Sequence, residues 1–397
     1  MRTAFRFFLL IAIFGLASCA RENSHYHAPA SRGCSALAIE HQYMVKWRGE
    51  RLPRRYDLNA RDLELLLRQP ALEWAEPNYN FRGRELPQAR DFNSTADARF
   101  VHADSAWRRG AYGKGILVAV VDSGVDTTQP QLAGAIQGSW NFITDDENVR
   151  DETGHGTHVA GIIAARPTAQ SPFTGLAPEA GILAADFMES ERGSEHDALR
   201  AIQYSLDHGA RIINNSWSEF CSFALAESFG QWQKANAIFV NAAGNQGVSV
   251  DGSGLVPSSL ELFNTLSVGS VGLEGKRSTF SNYGQAVPVF APGEEIASLS
   301  VDDSLGTTLI ARSGTSMSAA FVSGALALAW SAHLELDAAG LLKAFRATSD
   351  RTRHDGISVL DITALLNELD KSQPAAAAYV PKDRARWRRP RVKSGRH

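Results

Sequence analysis

The sequence predicts an α/β fold: a three-layer, doubly wound sandwich around a mostly parallel central sheet, with a small α+β unit ahead of it. Three observations lead there. Continuous apolar runs recur along the middle of the chain. The first is ILVAVV at Ile116–Val121, and others lie near Ile182–Ala185, Ile212–Asn214, Ile238–Ala242 and Leu266–Val268. Runs without polar alternation suit strands buried on both faces. Helical patterns separate them, among them HDALRAIQYSLDHGA (His196–Ala210) and FALAESFGQWQKANA (Phe223–Ala237), and such alternation implies a parallel sheet covered on both sides. The chain's 397 residues, 44% hydrophobic and 21% charged, suffice for one large soluble domain with an accessory piece.

Taken in order, residues 1–18 read as an export signal. Arg2 and Arg6 precede an apolar core, Phe7–Leu16, that is too short to span a bilayer as a stable helix. No other segment is read as membrane-spanning. The signal ends in Leu-Ala-Ser-Cys (Leu16–Cys19), which resembles the lipobox of bacterial lipoproteins. That resemblance implies cleavage before Cys19, lipidation of its thiol, and a protein exported and either lipid-anchored to the cell envelope or released after processing. An ordinary secretory signal with an incidental cysteine is the alternative. Cys34 and Cys221 then remain, as two unrelated thiols or as a disulfide of the oxidising compartment.

Residues 19–35 are short, mixed and polar, as a linker is. The unit at 36–90 opens with a strand-like alternation, HQYMVKW (His41–Trp47). A helix follows, capped by Asn59, with Leu63, Leu66 and Leu67 on one face. The unit exits through the extended EWAEPNYNF (Glu73–Phe81). A piece this small is marginal for a core of its own and needs a surface to lean on. The large domain spans 91–370 and ends in two helical patterns, Asp337–Thr348 and Leu360–Leu369. The tail, 371–397, carries eight Lys or Arg against one Asp from Lys382 onward, on a chain whose net charge is −3. A basic tail on an acidic body predicts a disordered interaction tail, and no nucleic-acid-binding fold.

Three stretches carry the chemistry. VAVVDSGVD puts Asp122 at the end of the first buried strand. GHGTHVAGIIAA puts His155 at the start of a helix rich in small residues. SGTSMSAAFVSGALALAW puts Ser316 at the start of a long, nearly uncharged helix that must be buried. Acyl transfer by serine needs a base to take the hydroxyl proton, an acid to orient that base, and donors for the oxyanion. His155, Asp122 and Ser316 can supply base, acid and nucleophile. Ligands in such sheets bind at the carboxyl ends of the strands.

With these motifs in the order Asp, His, Ser, the chain resembles the subtilisin-like serine proteases (peptidase family S8) over roughly residues 100 to 365. The resemblance implies a serine endopeptidase with Asp122 as orienting acid, His155 as general base and Ser316 as nucleophile. NAAGNQG (Asn241–Gly247) matches the family's oxyanion stretch and makes Asn245 the side-chain donor, beside the Ser316 N–H. IINNSWS (Ile212–Ser218) matches the strand that pairs with an extended peptide. Ser216, Trp217 and Ser218 would form one wall of the primary pocket, with Ala243 and Gly244 as the other. Trp217 and Ser218 depart from the family's usual Leu and Gly. Ala320 replaces its usual Pro, which a first helical turn tolerates.

The unit at 36–90 looks like the family's inhibitor propeptide, so the expected partners are protein or peptide substrates, this intramolecular inhibitor, and a membrane through the N-terminal lipid. Cutting after the unit would separate the enzyme from its anchor, and a Cys34–Cys221 bridge is one way to retain it. A catalytically silent lipoprotein of the same fold, acting in binding or scaffolding, is the alternative function. His158, one turn beyond His155, reads as packing. No cofactor is expected. Ala165–Leu176 lacks the Asn-rich calcium loop of many relatives. The acidic segment 145–152 offers oxygen ligands, but its spacing matches no strict calcium loop and suits a solvated loop better.

Overall fold

The computed structural model describes residues 26–27, 38–80, 96–189, 192–217, 222–301, 308–349, 353–354 and 356–372. The leader, Cys19, Cys34, Ser218, Cys221 and the basic tail lie outside them.

Seven parallel strands form the central sheet: β4 (Leu117–Asp122), β5 (Ile136–Asn141), β6 (Gly181–Asp186), β9 (Ile212–Asn215), β10 (Ile238–Ala242), β11 (Thr265–Val271) and β12 (Val289–Pro292). Their order is β12-β11-β10-β9-β4-β6-β5. The chain starts in the middle at β4, builds one side through β6 and β5, and then crosses to add β9 to β12 on the other. The change of direction falls between β4 and β9, the place where such sheets open a crevice at their carboxyl ends.

Alternation along β4 shows why the run reads as continuously apolar. Val118 and Val120 enter one core, and Ala119 and Val121 enter the other. The first core is filled by α4 (His155–Ala164), α7 (Thr315–Ala332), α8 (Ala338–Ser349) and α9 (Ile362–Ser372). The second is filled by α5 (Glu195–Asp207) and α6 (Phe223–Trp232). Helix α7 is long and apolar enough to cross a membrane, yet it is 89% buried inside the fold. Its small residues let it lie against β9, β10 and β11. Short helices α2 (Ala96–Phe100) and α3 (Ala103–Arg108) precede β4. The hairpin β7–β8 (Met188–Glu189, Arg192–Gly193) follows β6, and the hairpin β13–β14 (Ile296–Leu299, Leu309–Arg312) leads into α7.

The preceding unit is a three-stranded antiparallel sheet, β2-β1-β3, with one helix. Its strands are β1 (Ala38–Trp47), β2 (Arg54–Asp57) and β3 (Leu72–Tyr79), and α1 (Ala60–Leu67) is its helix. Asn59 caps α1, accepting from the Asp62 N–H at 2.9 Å, and Leu63, Leu66 and Leu67 are its buried residues. The unit does lean on the large domain. Met44, Trp74 and Tyr79 belong to the same core as Phe187, Leu199, Ala224 and Phe229. At the last described residue of the unit, Asn80 pairs with Ser194 in an isolated antiparallel bridge.

Candidate active site

Asp122 is the last residue of β4, His155 the first of α4 and Ser316 the second of α7. All three elements end or begin at the carboxyl edge of the sheet. Asp122 is fully buried, and its Oδ1 lies 2.7 Å from His155 Nδ1 and accepts from the Ser123 N–H at 2.8 Å. With Asp122 ionised, Nδ1 donates and Nε2 is left as the proton acceptor. Burial alone would lower the imidazole's pKa. The Asp122 charge and hydrogen bond outweigh it, and the pKa rises above its ordinary value.

Close packing brings α4 to the strand end. A Cβ on Gly156 would stand 2.0 Å from the Gly124 carbonyl oxygen, so only glycine fits. The acidic segment 145–152 is not simply the solvated loop its composition suggests. Asp151 is buried; its Oδ1 accepts from the Gly154 N–H at 2.8 Å and the Ser123 hydroxyl at 2.9 Å. Its Oδ2 accepts from the Thr157 N–H at 2.7 Å. It thus caps the His155 helix and braces the residue after Asp122, a role that composition and spacing do not reveal. Of the other acids there, Asp145 pairs with Arg200, and Asp146 accepts from the Thr144 hydroxyl and the Asn148 N–H. These carboxylate oxygens are engaged by protein donors. Among the described residues no group of three or more His, Cys, Asp or Glu is arranged to hold a metal.

A further acid carries no signature in the local sequence. Asp186, at the end of β6, stands in register beside Asp122 and accepts from Asn141 Nδ2 at 2.9 Å. Burial, with the nearby Asp151 and Asp122, pushes its carboxyl up to about 8.

Gly314 precedes α7 with φ +154° and no side-chain cap. Asn245 Oδ1 accepts from both the N–H of Thr315 (2.9 Å) and its hydroxyl (3.0 Å), and that hydroxyl accepts from the Gly244 N–H at 3.0 Å. A main-chain N–H can only donate, so the amide's orientation is fixed and Nδ2 is turned away from Thr315, free to donate elsewhere. The Ser316 hydroxyl donates to the Ser216 carbonyl at 2.9 Å, and the Ser216 hydroxyl donates back to the Ser316 carbonyl at 3.0 Å. Asn214 extends this seam, donating to Ser216 Oγ and accepting from Ser323 Oγ, both at 2.8 Å. It ties α7 to β9, and nothing in the sequence pattern signals it.

Of the residues expected to line the substrate cleft, Ser216 follows β9, and Ala243 and Gly244 follow β10. Trp217 is buried: its indole N–H donates to the Val121 carbonyl at 2.9 Å and its ring meets Phe187 edge-on. Its side chain is committed to the core beneath the strand ends. His158 is the packing residue expected. Its Nε2 lies 3.0 Å from the Ile296 carbonyl, and burial lowers its pKa to about 3.

The subtilase family (Peptidase_S8) model matches residues 113–360. Over 270 residues the chain is 35% identical to the thermophilic serine proteinase of Bacillus sp. (strain AK1), a match covering 67% of this chain and 65% of that protein, just under two thirds of its length. It is 33% identical over 230 residues to thermitase of Thermoactinomyces vulgaris (57% and 79% covered), and 34% over 249 to the major intracellular serine protease of Bacillus subtilis (61% and 76%). Among solved structures, fervidolysin from Fervidobacterium pennivorans, a keratinolytic enzyme related to subtilisin, superposes with a TM-score of 0.71. That match covers 86% of this chain and 63% of that one at 22% identity, a likeness of fold. With one family's model running from just before β4 to past α8, and an aspartate–histidine contact built on the first strand of that match, the chain belongs to the subtilisin-like serine proteases.

Proposed function

We propose that this protein is an exported serine endopeptidase that cuts peptide bonds through an acyl-enzyme, with Asp122, His155 and Ser316 as its triad and Asn245 as an oxyanion donor. The observation that carries the reading is the 2.7 Å contact between His155 Nδ1 and the buried Asp122 carboxylate, on elements that meet the sheet at the same carboxyl edge where the Ser316 helix begins. In the resting site the Ser316 proton rests on the Ser216 carbonyl. For reaction Oγ must leave that carbonyl and reach His155 Nε2, which takes the proton as Oγ attacks the substrate carbonyl. The oxyanion accepts from Asn245 Nδ2 and the Ser316 N–H, at a helix start whose dipole favours negative charge. His155 then returns the proton to the leaving amine. Water, activated the same way, releases the acyl group. These side chains account for every proton, so the reaction is written without a cofactor.

The substrate lies extended along residues 212–218, between Ser216–Ser218 and Ala243–Gly244. The unit at 36–80 acts as an intramolecular inhibitor. Its docking on α5 and α6 and the Asn80–Ser194 bridge to the large domain support this. Export and lipidation at Cys19 rest on the leader sequence, because one relative of this family is named an intracellular protease.

A fluorophosphonate probe tests the core of the proposal. Labelling of the processed protein, abolished by Ser316→Ala, is expected. A folded protein that takes no label and hydrolyses no peptide would instead be the silent, scaffolding member of the fold. Mass spectrometry of the mature N-terminus tests export and lipidation together.

A further inference from the structure

Two carboxyl groups face each other across the boundary between the 36–80 unit and the large domain. Glu76 belongs to β3 of the unit, and Glu195 is the first residue of α5. Both are buried, at 2% and 0% exposure. Their common neighbour is the start of α6. Glu76 Oε2 accepts from the Phe223 N–H at 3.1 Å and Oε1 from the Ala224 N–H, while the Ser222 hydroxyl donates to Glu195 Oε1 and accepts from the Leu225 N–H at 2.8 Å. Ser222 has one proton to give, and it gives it to Glu195. No hydrogen bond reaches Glu195 Oε2 among the described residues. A charged carboxylate there would keep a buried oxygen without a donor, beside a second carboxylate.

The surroundings offer no compensation. Lys46 of β1 is paired with Glu227 of α6 at 3.6 Å, and the Trp74 indole also donates to Glu227 at 2.6 Å. On α5, His196 lies 3.1 Å from Asp197. Tyr26, Tyr43 and Tyr79 are phenols that burial holds protonated, and His27, whose pKa burial lowers, stacks on Phe223 at 3.8 Å. Among the described residues no cation forms an ion pair with either carboxyl of the couple. Burial pushes Glu195 up to about 8 against the pull of Ser222 and the Tyr79 and Leu225 amides. Burial, with Glu195 beside it, also pushes Glu76 well above the carboxylate range.

We propose that Glu76 and Glu195 form a proton-held latch: the 36–80 unit stays seated while the pair holds a proton, and loosens when both carboxyls are ionised. This rests on the reading of that unit as a docked inhibitor and adds its regulation. The sign follows from the two states. Undocking exposes Glu76 and opens Glu195 to water, returning both toward ordinary carboxylate behaviour, so the docked form binds more protons. Docking is then fully favoured below the ordinary range, near pH 4, and weakens as pH rises toward about 8. One linked proton weakens docking by at most about tenfold per pH unit. A protease stored under its inhibitor in a mildly acidic setting would be freed by neutral to alkaline pH.

Hydrogen exchange of the full-length Ser316→Ala protein, which keeps the unit attached, tests the latch. After correction for intrinsic rates, protection of the β3 amides and of Phe223 and Ala224 should fall by roughly 10- to 100-fold between pH 5.5 and 8. In Glu76→Gln/Glu195→Gln, which cannot ionise, the fall should be less than about threefold on the same scale. Equal protection of the parent at both pH values refutes the latch while leaving the docked inhibitor intact. So does a fall in the double variant as large as the parent's. A β3 strand unprotected even at pH 5.5 overturns the docking and the latch together.

Discussion

Replacing Thr315 with valine removes one hydroxyl and keeps the shape of the side chain, which makes it a clean probe of the oxyanion donor. That hydroxyl is fully buried, donates to Asn245 Oδ1 at 3.0 Å and accepts from the Gly244 N–H at 3.0 Å. Valine leaves the Gly244 N–H orphaned, at a cost to stability of about 1–3 kcal/mol. Asn245 keeps its second anchor, the Thr315 N–H at 2.9 Å, so its amide is loosened and not lost. Deleting an oxyanion donor outright costs about 2.7–4 kcal/mol, a range known from a subtilisin and not worked from this structure. Losing one of two anchors should forfeit roughly a third to a half of that, or about 1–2 kcal/mol, a five- to thirtyfold fall in kcat. KM should hold, because the donor meets full charge only in the transition state. Steady-state kinetics on a chromogenic peptide, alongside a denaturant midpoint, read both effects. In the Asn245→Ala background the same substitution should barely change kcat. A loss that persists undiminished in that background, or a raised KM at constant kcat, would show that Thr315 does not act through Asn245.

Other perturbations have equally definite outcomes. His155 must be neutral to take the serine proton, and Asp122 raises its pKa. Activity should therefore fall as pH drops through a value above about 6.5. Asp122→Asn should move that limb to lower pH and cut kcat by a factor on the order of 10⁴; an unmoved limb in the pH profile of kcat/KM would deny the coupling. Asp151→Ala strips the cap from α4 and frees several buried amides, so the unfolding free energy should drop by about 2 kcal/mol or more, checked by denaturant titration. Gly156→Ala drives a Cβ to 2.0 Å from the Gly124 carbonyl oxygen. Neither backbone can yield without moving His155 from Asp122, so activity should vanish even in whatever folded protein is recovered. A well-folded, active Gly156→Ala enzyme, judged by circular dichroism and turnover, would refute the packing.

What the sequence made legible was what local chemistry dictates. Each apolar run became a strand because a two-faced sheet needs no polar alternation, and Asn59 marked its helix because an amide acceptor at that place caps it. Strand β5, IQGSWN, has no apolar run to mark it. It is one of the sheet's two edge strands, only partly buried along most of its length, so its polar residues break the apolar signal. Strand β12, VFAP, is too short to stand out. The proposed triad stands out in the sequence because each member sits in a distinctive motif at an element end. Asp151, Asp186 and the Asn214–Ser216–Ser323 seam do not, because their roles exist only between elements distant in the chain. Trp217 shows the same limit. Its position in the substrate strand was legible, but the direction of its side chain depended on Phe187 and the Val121 carbonyl.

Helix starts explain how one fold hosts both the chemistry and its restraint. Four helices that matter here begin at or near the carboxyl edge of the sheet, and each presents amides that need an acceptor. Asp151 satisfies those of α4. The 36–80 unit reaches those of α5 and α6 through the Asn78 side chain, which accepts from the His196 N–H at 3.3 Å, and through Glu76. At α7 the preceding residue is a glycine with nothing to offer, and Asn245 takes only the first amide. On the proposed mechanism the next N–H, that of Ser316, is thereby kept for a charge that exists only during reaction. Filling that place with a permanent cap would stabilise the helix and remove the reason for Ser316 to be there. A Gly314→Asp variant makes the point testable. Its carboxylate should compete for the α7 amides and repel the oxyanion, costing kcat through both effects. Unimpaired turnover in that variant would mean the α7 amides play no part in holding the oxyanion.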